Sequence, residues 1–69
     1  MPYHVNAELP DSVRNHLPKH AQEIYREVFN HAFKAHAGEI DQEQRAHMIA
    51  WAAVKRSYVK DGNMWVARE

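Results

Sequence analysis

The sequence contains no cysteine and no threonine, only two glycines and three prolines, and no apolar run long enough to cross a membrane. Each absence removes a class of protein. Without cysteine there is no disulfide framework and no thiolate metal site, so a chain of 69 residues must be held together by helix packing or by a partner subunit. The longest apolar-rich stretch, Met48 to Val54, is flanked by Arg45, Lys55 and Arg56 and falls far short of the ~18 residues a membrane span needs. The start, Met1-Pro2-Tyr3-His4-Val5-Asn6, has neither a cationic n-region nor an apolar h-region, which predicts a cytoplasmic protein without direct membrane insertion. Hydroxyl nucleophiles are limited to Ser12 and Ser57, neither in an elbow motif, and no glycine-rich phosphate cradle exists. No enzyme is expected.

An excess of charge of either sign is missing as well. Four basic and four acidic side chains fall in residues 1–37, and five of each in residues 38–69. Strong phosphate-driven affinity needs a positive footprint, so a general nucleic-acid binder is disfavoured. The six histidines make this neutrality conditional, because an ordinary imidazole titrates near pH ~6.5 and mild acidification would add positive charge. Length allows one small domain over residues 1–69, with roughly 4,500 Å² left exposed on folding.

The sparse punctuation divides the chain. Leu9-Pro10-Asp11 reads as a helix entry with Asp11 as N-cap of a short segment, Ser12 to Leu17, which Pro18 interrupts. A second helix follows, with Pro18 in its first turn. Ala21, Ile24, Tyr25, Val28, Phe29, Ala32, Phe33 and His36 share its inner face, and Gly38 ends it. Asp41 and Gln44 form a capping-box-like pair opening a third helix that runs to about Val59, with Glu43 at its start and Lys55, Arg56 and Lys60 near its end, as the helix macrodipole favours. Met48 to Val54 is apolar on nearly every side, which predicts a central helix surrounded by the rest of the fold. Asp61-Gly62 is a turn, and the β-compatible segments Tyr3-His4-Val5 and Met64-Trp65-Val66 are expected to pair as a small sheet joining the termini.

Candidate chemistry is thin. His16 and His20 stand four apart with Glu23 and Glu27 beyond, but Pro18 breaks the continuous helix that a shared metal site would need. Glu39, Asp41 and Glu43 alternate in one connection without the longer ligand pattern of a calcium loop. No metal or other cofactor is expected. His47, Trp51, Val54 and Tyr58 follow 4,3,4 spacing on one helical face, where a histidine is ordinarily a buried, hydrogen-bonded structural residue.

Taken together, Met1-Pro2-Tyr3, Leu9-Pro10-Asp11-Ser12-Val13, Leu17-Pro18, His20-Ala21-Gln22-Glu23-Ile24-Tyr25, Phe29-Asn30, Ala46-His47, Ala50-Trp51-Ala52-Ala53-Val54-Lys55, Tyr58 and Trp65 resemble the ChaB family of small bacterial proteins, over essentially the whole chain. The resemblance implies a compact, mainly α fold of three helices with a small two-stranded sheet. It also implies no enzyme activity and a role in regulating the sodium (calcium)/proton antiporter ChaA. The connection Ala37 to Gln44 is shorter here than the charged insertion of enterobacterial members, and the tail Val66-Ala67-Arg68-Glu69 is less lysine-rich.

The reading is therefore a non-enzymatic cytoplasmic interaction module whose protein partner is a cation/proton antiporter or its regulator. Its candidate surface is the outer side of the second helix, Glu23, Arg26, Glu27, Asn30 and Lys34, together with the junction at His16 and His20. Histidine protonation would alter that surface and with it the affinity for the partner. The alternative, from another class, is a small nucleic-acid-associated protein acting through the basic patch Lys55, Arg56 and Lys60, near Trp51 or Trp65 and with Arg68 close by.

Overall fold

Ala21, Tyr25, Phe29 and Ala32 recur at 4,4,3 spacing, and Ala46, Ala50 and Val54 at 4,4 spacing, so each set lines one face of a helix. In the computed structural model, which describes residues 3–68, these two faces meet and form most of the core. The chain runs through a 3₁₀ turn (Asn6–Glu8), a short helix α1 (Asp11–Arg14), two long helices α2 (Lys19–Ala35) and α3 (Gln42–Ser57), and strands β1 (Tyr58–Asp61) and β2 (Met64–Ala67). Alanines on the inner face of α3 let α2 approach closely, and the large rings of Tyr25 and Phe29 fill the seam. Leu9, Val13 and Leu17 close one end of this core.

Two glutamines fasten the corners. Gln22 Nε2 donates to the carbonyls of Leu17 (2.8 Å) and Arg14 (3.1 Å), covering the end of α1. Gln42 Nε2 donates to the Phe33 carbonyl at 2.6 Å, tying the start of α3 to the last turn of α2. Both corners thereby satisfy helix-end carbonyls that would otherwise be orphaned. The caps differ in detail from expectation. Asp11 is the first residue of α1, behind Pro10 at the N-cap, and its carboxylate pairs with Arg14. Pro18 occupies the N-cap of α2. Asp41 is the N-cap of α3 but makes no side-chain cap bond, because its Oδ2 accepts from Arg45 Nε at 3.0 Å. Helix α2 ends at Ala35 with His36 as C-cap, and Gly38, at φ +87°, turns the chain two residues later.

Two larger expectations are corrected. The small sheet exists but does not join the termini. It is an antiparallel hairpin in the register Tyr58↔Ala67, Val59↔Val66, Lys60↔Trp65 and Asp61↔Met64. Gly62, at φ +65°, is the first of its two loop residues, the position that a tight hairpin turn reserves for glycine. The N-terminal segment lies along α2 instead. Asn30 holds it by accepting from the Tyr3 N–H (2.7 Å) and donating to the Tyr3 carbonyl (2.6 Å), while the Tyr3 ring sits 4.8 Å from that of Phe29. Helix α3, for its part, is not surrounded. Met48 is 63% exposed and Ile49 39%, because a chain this short has only α2 and the hairpin to lay against it.

Candidate functional site

The seven residues expected to form a partner surface divide into two groups. His20, Glu27 and Lys34 are exposed and Glu23 is half-buried along the outer face of α2, with His20 Nδ1 3.8 Å from Glu23 Oε1. Arg26 and Asn30 are corrected out of that face. Arg26 Nε donates to Asn6 Oδ1 at 2.8 Å and Asn30 clasps Tyr3, so both serve to hold the N-terminal segment. His16 is exposed but engaged. Its Nδ1–H donates to the Asn63 carbonyl in the hairpin loop at 2.7 Å, and its own carbonyl accepts from the Trp65 N–H at 3.1 Å. His16 and His20 both lean on the hairpin, at different points, since the His20 ring lies 6.4 Å from that of Tyr58. No group of three or more His, Asp or Glu able to hold a metal ion occurs among the described residues.

A broad concavity lies on α3. Glu43, His47, Trp51 and Lys55 stand four apart in succession, so they run as one stripe along the helix, about 18 Å from end to end. This stripe borders an open groove of about 840 Å³, whose apolar lining is completed by Tyr3, Pro10, Met48 and Ala52. The groove is acidic toward one end, at Glu43, and basic toward the other, at Lys55. Its polar feature in the middle is His47. The imidazole Nδ1 and the Tyr25 hydroxyl share a hydrogen bond that links α3 to α2, with the Phe29 ring 4.6 Å away. Burial pushes the His47 imidazole below its ordinary value, partly opposed by the nearby Glu43 carboxylate. Burial likewise pushes the Tyr25 phenol well above its ordinary range. Both groups are therefore neutral at pH 7. Tyr3 was not placed in this groove from sequence, because its position depends on the clasp at Asn30.

The basic patch is rearranged as well. Lys55 and Lys60 border a second, smaller groove with Trp51 and Trp65, to which Ser12, His16 and Asn63 contribute. Arg56 is exposed on α3 outside both groove linings, and Arg68 caps the helix: its Nε donates to the Lys55 carbonyl (2.9 Å) and its N–H to the Ser57 carbonyl (2.8 Å). Arg68 is thus a structural cation at a helix C-terminus. Elsewhere, Glu39 and Asp41 both reach Arg45, at 3.4 and 3.0 Å, and Glu39 Oε2 meets His36 Nδ1 at 2.8 Å. These exposed pairs order the connection between α2 and α3 and contribute little to stability.

No helix among the described residues is long and apolar enough to cross a membrane. Comparison with known proteins places the whole arrangement. The ChaB family model matches residues 9–68. A protein of Escherichia coli strain K12 named "Putative cation transport regulator ChaB" is 44% identical over 72 aligned positions, covering 94% of this chain and 95% of its own length. A Shigella flexneri protein of the same name is similar to the same extent. The "NMR solution structure of the putative cation transport regulator ChaB" superposes with a TM-score of 0.84 at 43% identity, covering 99% of this chain and 100% of that one. These relatives are named as regulators, and the match extends over both long helices, the α3 groove and the hairpin. On its sequence and on its fold, the chain belongs to the ChaB family.

Proposed function

We propose that the chain is a non-enzymatic cytoplasmic regulator that binds a sodium (calcium)/proton antiporter, or a regulator of one, by seating an apolar segment of that partner in the α3 groove. The observation that carries this reading is the groove itself. It exposes Met48 and half-buried Trp51 between an acidic and a basic end, the combination of an apolar anchor site and polar rim found at protein interfaces. Opposite charges at the two ends favour one direction of docking. The remaining outer residues of α2, His20, Glu23, Glu27 and Lys34, supply a second, purely polar face whose role is to discriminate among partners. His47 in the groove wall gives the contact a response to protons. Acidification places a charge beside the apolar floor and weakens docking, which suits a proton-coupled partner.

Binding of the purified chain to the antiporter in detergent or lipid nanodiscs tests the proposal. Met48→Ala and Trp51→Ala are expected to weaken binding by about tenfold or more, as truncation of interface anchors does. Arg56→Gln, at an exposed position outside both groove linings, should change it by less than about threefold. An antiporter that fails to bind the wild-type chain, or binds the groove variants equally well, would overturn it.

A further inference from the structure

The only two tryptophans of the sequence meet at the second groove, with cations beside them. Trp51 from α3 and Trp65 from β2 have ring centroids 5.5 Å apart at 40°. The hairpin register sets Lys60 directly opposite Trp65, so its side chain and the indole rise on the same face of the sheet. Lys55 approaches from α3, one turn beyond Trp51. The groove they border measures about 380 Å³, within the ~300–1,000 Å³ of small-ligand clefts, and among the described residues no carboxylate lines it. Its wall is preformed, because the His16–Asn63 and Trp65–His16 bonds join the α1–α2 junction to the hairpin.

We propose that this groove binds a nucleotide unit, with the base stacked on indole surface and the phosphate held between Lys55 and Lys60. Two ammonium groups alone would take any anion. The paired indoles add a preference for an anion that carries a flat π-face, since base–aromatic stacking is tolerant of base identity and adds materially to affinity. Free mononucleotides and single-stranded nucleic acid share this chemistry. The near-neutral chain and the two cations together require weak binding with a shallow salt dependence, a slope of log K on log salt of about −1.4 for a single strand.

The test is a titration of the full chain followed by tryptophan fluorescence, since both fluorophores line the site. Adenosine monophosphate, oligodeoxyadenylate and ribose 5-phosphate are compared at low salt. Quenching by the first or second, with ribose 5-phosphate much weaker, is the expected result; a response to the oligonucleotide alone assigns the site to single strands, and one to both admits free nucleotides. Lys60 is exposed and lies outside the α3 groove, so Lys60→Glu is expected to weaken binding about tenfold or more while leaving antiporter binding intact. Lys60→Arg should retain it, and Lys60→Gln stands in should the glutamate disturb the hairpin. Absence of quenching by either nucleotide ligand, equal binding of ribose 5-phosphate, or unchanged affinity in both charge-removing variants overturns the proposal.

Discussion

At the scale of single residues, Tyr25 and His47 carry the tightest link between structure and solution behaviour. Tyr25 is fully buried, and its hydroxyl would be an unsatisfied polar group in the seam between α2 and α3 were it not bonded to His47 Nδ1. The partial burial that secures this bond also holds the imidazole below the 6.5 of a free histidine. The unfolded chain therefore binds a proton at this position before the folded one does, and stability must fall as pH drops below that value, through the window down to the lowered native value. Melting temperature should be flat above about pH 7 and decline as pH falls below about 6.5, and His47→Gln should flatten that decline. A decline that persists unchanged in the variant would mean that His47 is not its source. The sequence placed His47 on an inward helical face and anticipated a hydrogen-bonded structural role, because 4,3,4 spacing is a local property. Its partner was not legible, since nothing local says which residue of another helix stands opposite.

At the scale of elements, helices were read well and the sheet was read in part. The 3,4 periodicity of α2 and the charge gradient of α3 both predict their elements, and the observed ends fall within about two residues of expectation, the widest gap being at the end of α3. There the pattern misleads. Tyr58 continues the His47-Trp51-Val54 spacing, so it reads as one more helical turn, yet its backbone at φ −133° and ψ 152° is already extended. It is buried in either conformation, and burial is all the periodicity reports. Asp61-Gly62 reads as a turn and Met64-Trp65-Val66 as β-compatible, but the periodicity assigns the residues before the turn to the helix, so the hairpin signature, which needs no distant partner, is missed. Gly62 has open space where a Cβ would stand, so a substitution there costs backbone strain alone. Gly62→Ala should destabilise the chain by about 1 kcal/mol, lowering the melting temperature by about 4–8 °C. Calorimetry checks it. An unchanged melting temperature would mean that the hairpin folds and frays independently of the helices.

At the scale of the whole molecule, the chain exposes 4804 Å² and has a radius of gyration of 11.8 Å within extents of 36 × 22 × 16 Å. The general relation for a compact chain of this length gives about 11 Å, so the molecule is slightly elongated. Small size leaves little margin: at about 0.05–0.15 kcal/mol per residue the total stability is about 3–10 kcal/mol. Phe29 is fully buried in the seam and touches the rings of Tyr3, Phe33 and His47. Phe29→Ala should cost about 3–5 kcal/mol, enough to bring the unfolded state to a substantial population at 25 °C. Urea unfolding followed by circular dichroism measures it. A loss below about 1 kcal/mol would mean that the seam collapses around the missing ring.

Local chemistry, then, determined the helices, the turns, the absence of charge excess and the family resemblance, because periodicity, capping and turn preference act over a few residues and survive without a fold. The tertiary structure decided which strands pair, that Arg26, Asn30 and Arg68 hold the chain together, and that α3 leaves Met48 uncovered. Both grooves belong to this second class. Tyr3 reaches the α3 groove through Asn30, 27 residues away, and Trp65 reaches Trp51 through a hairpin. Contacts of that range exist only once the chain has closed, so no pattern of neighbours along the sequence records them.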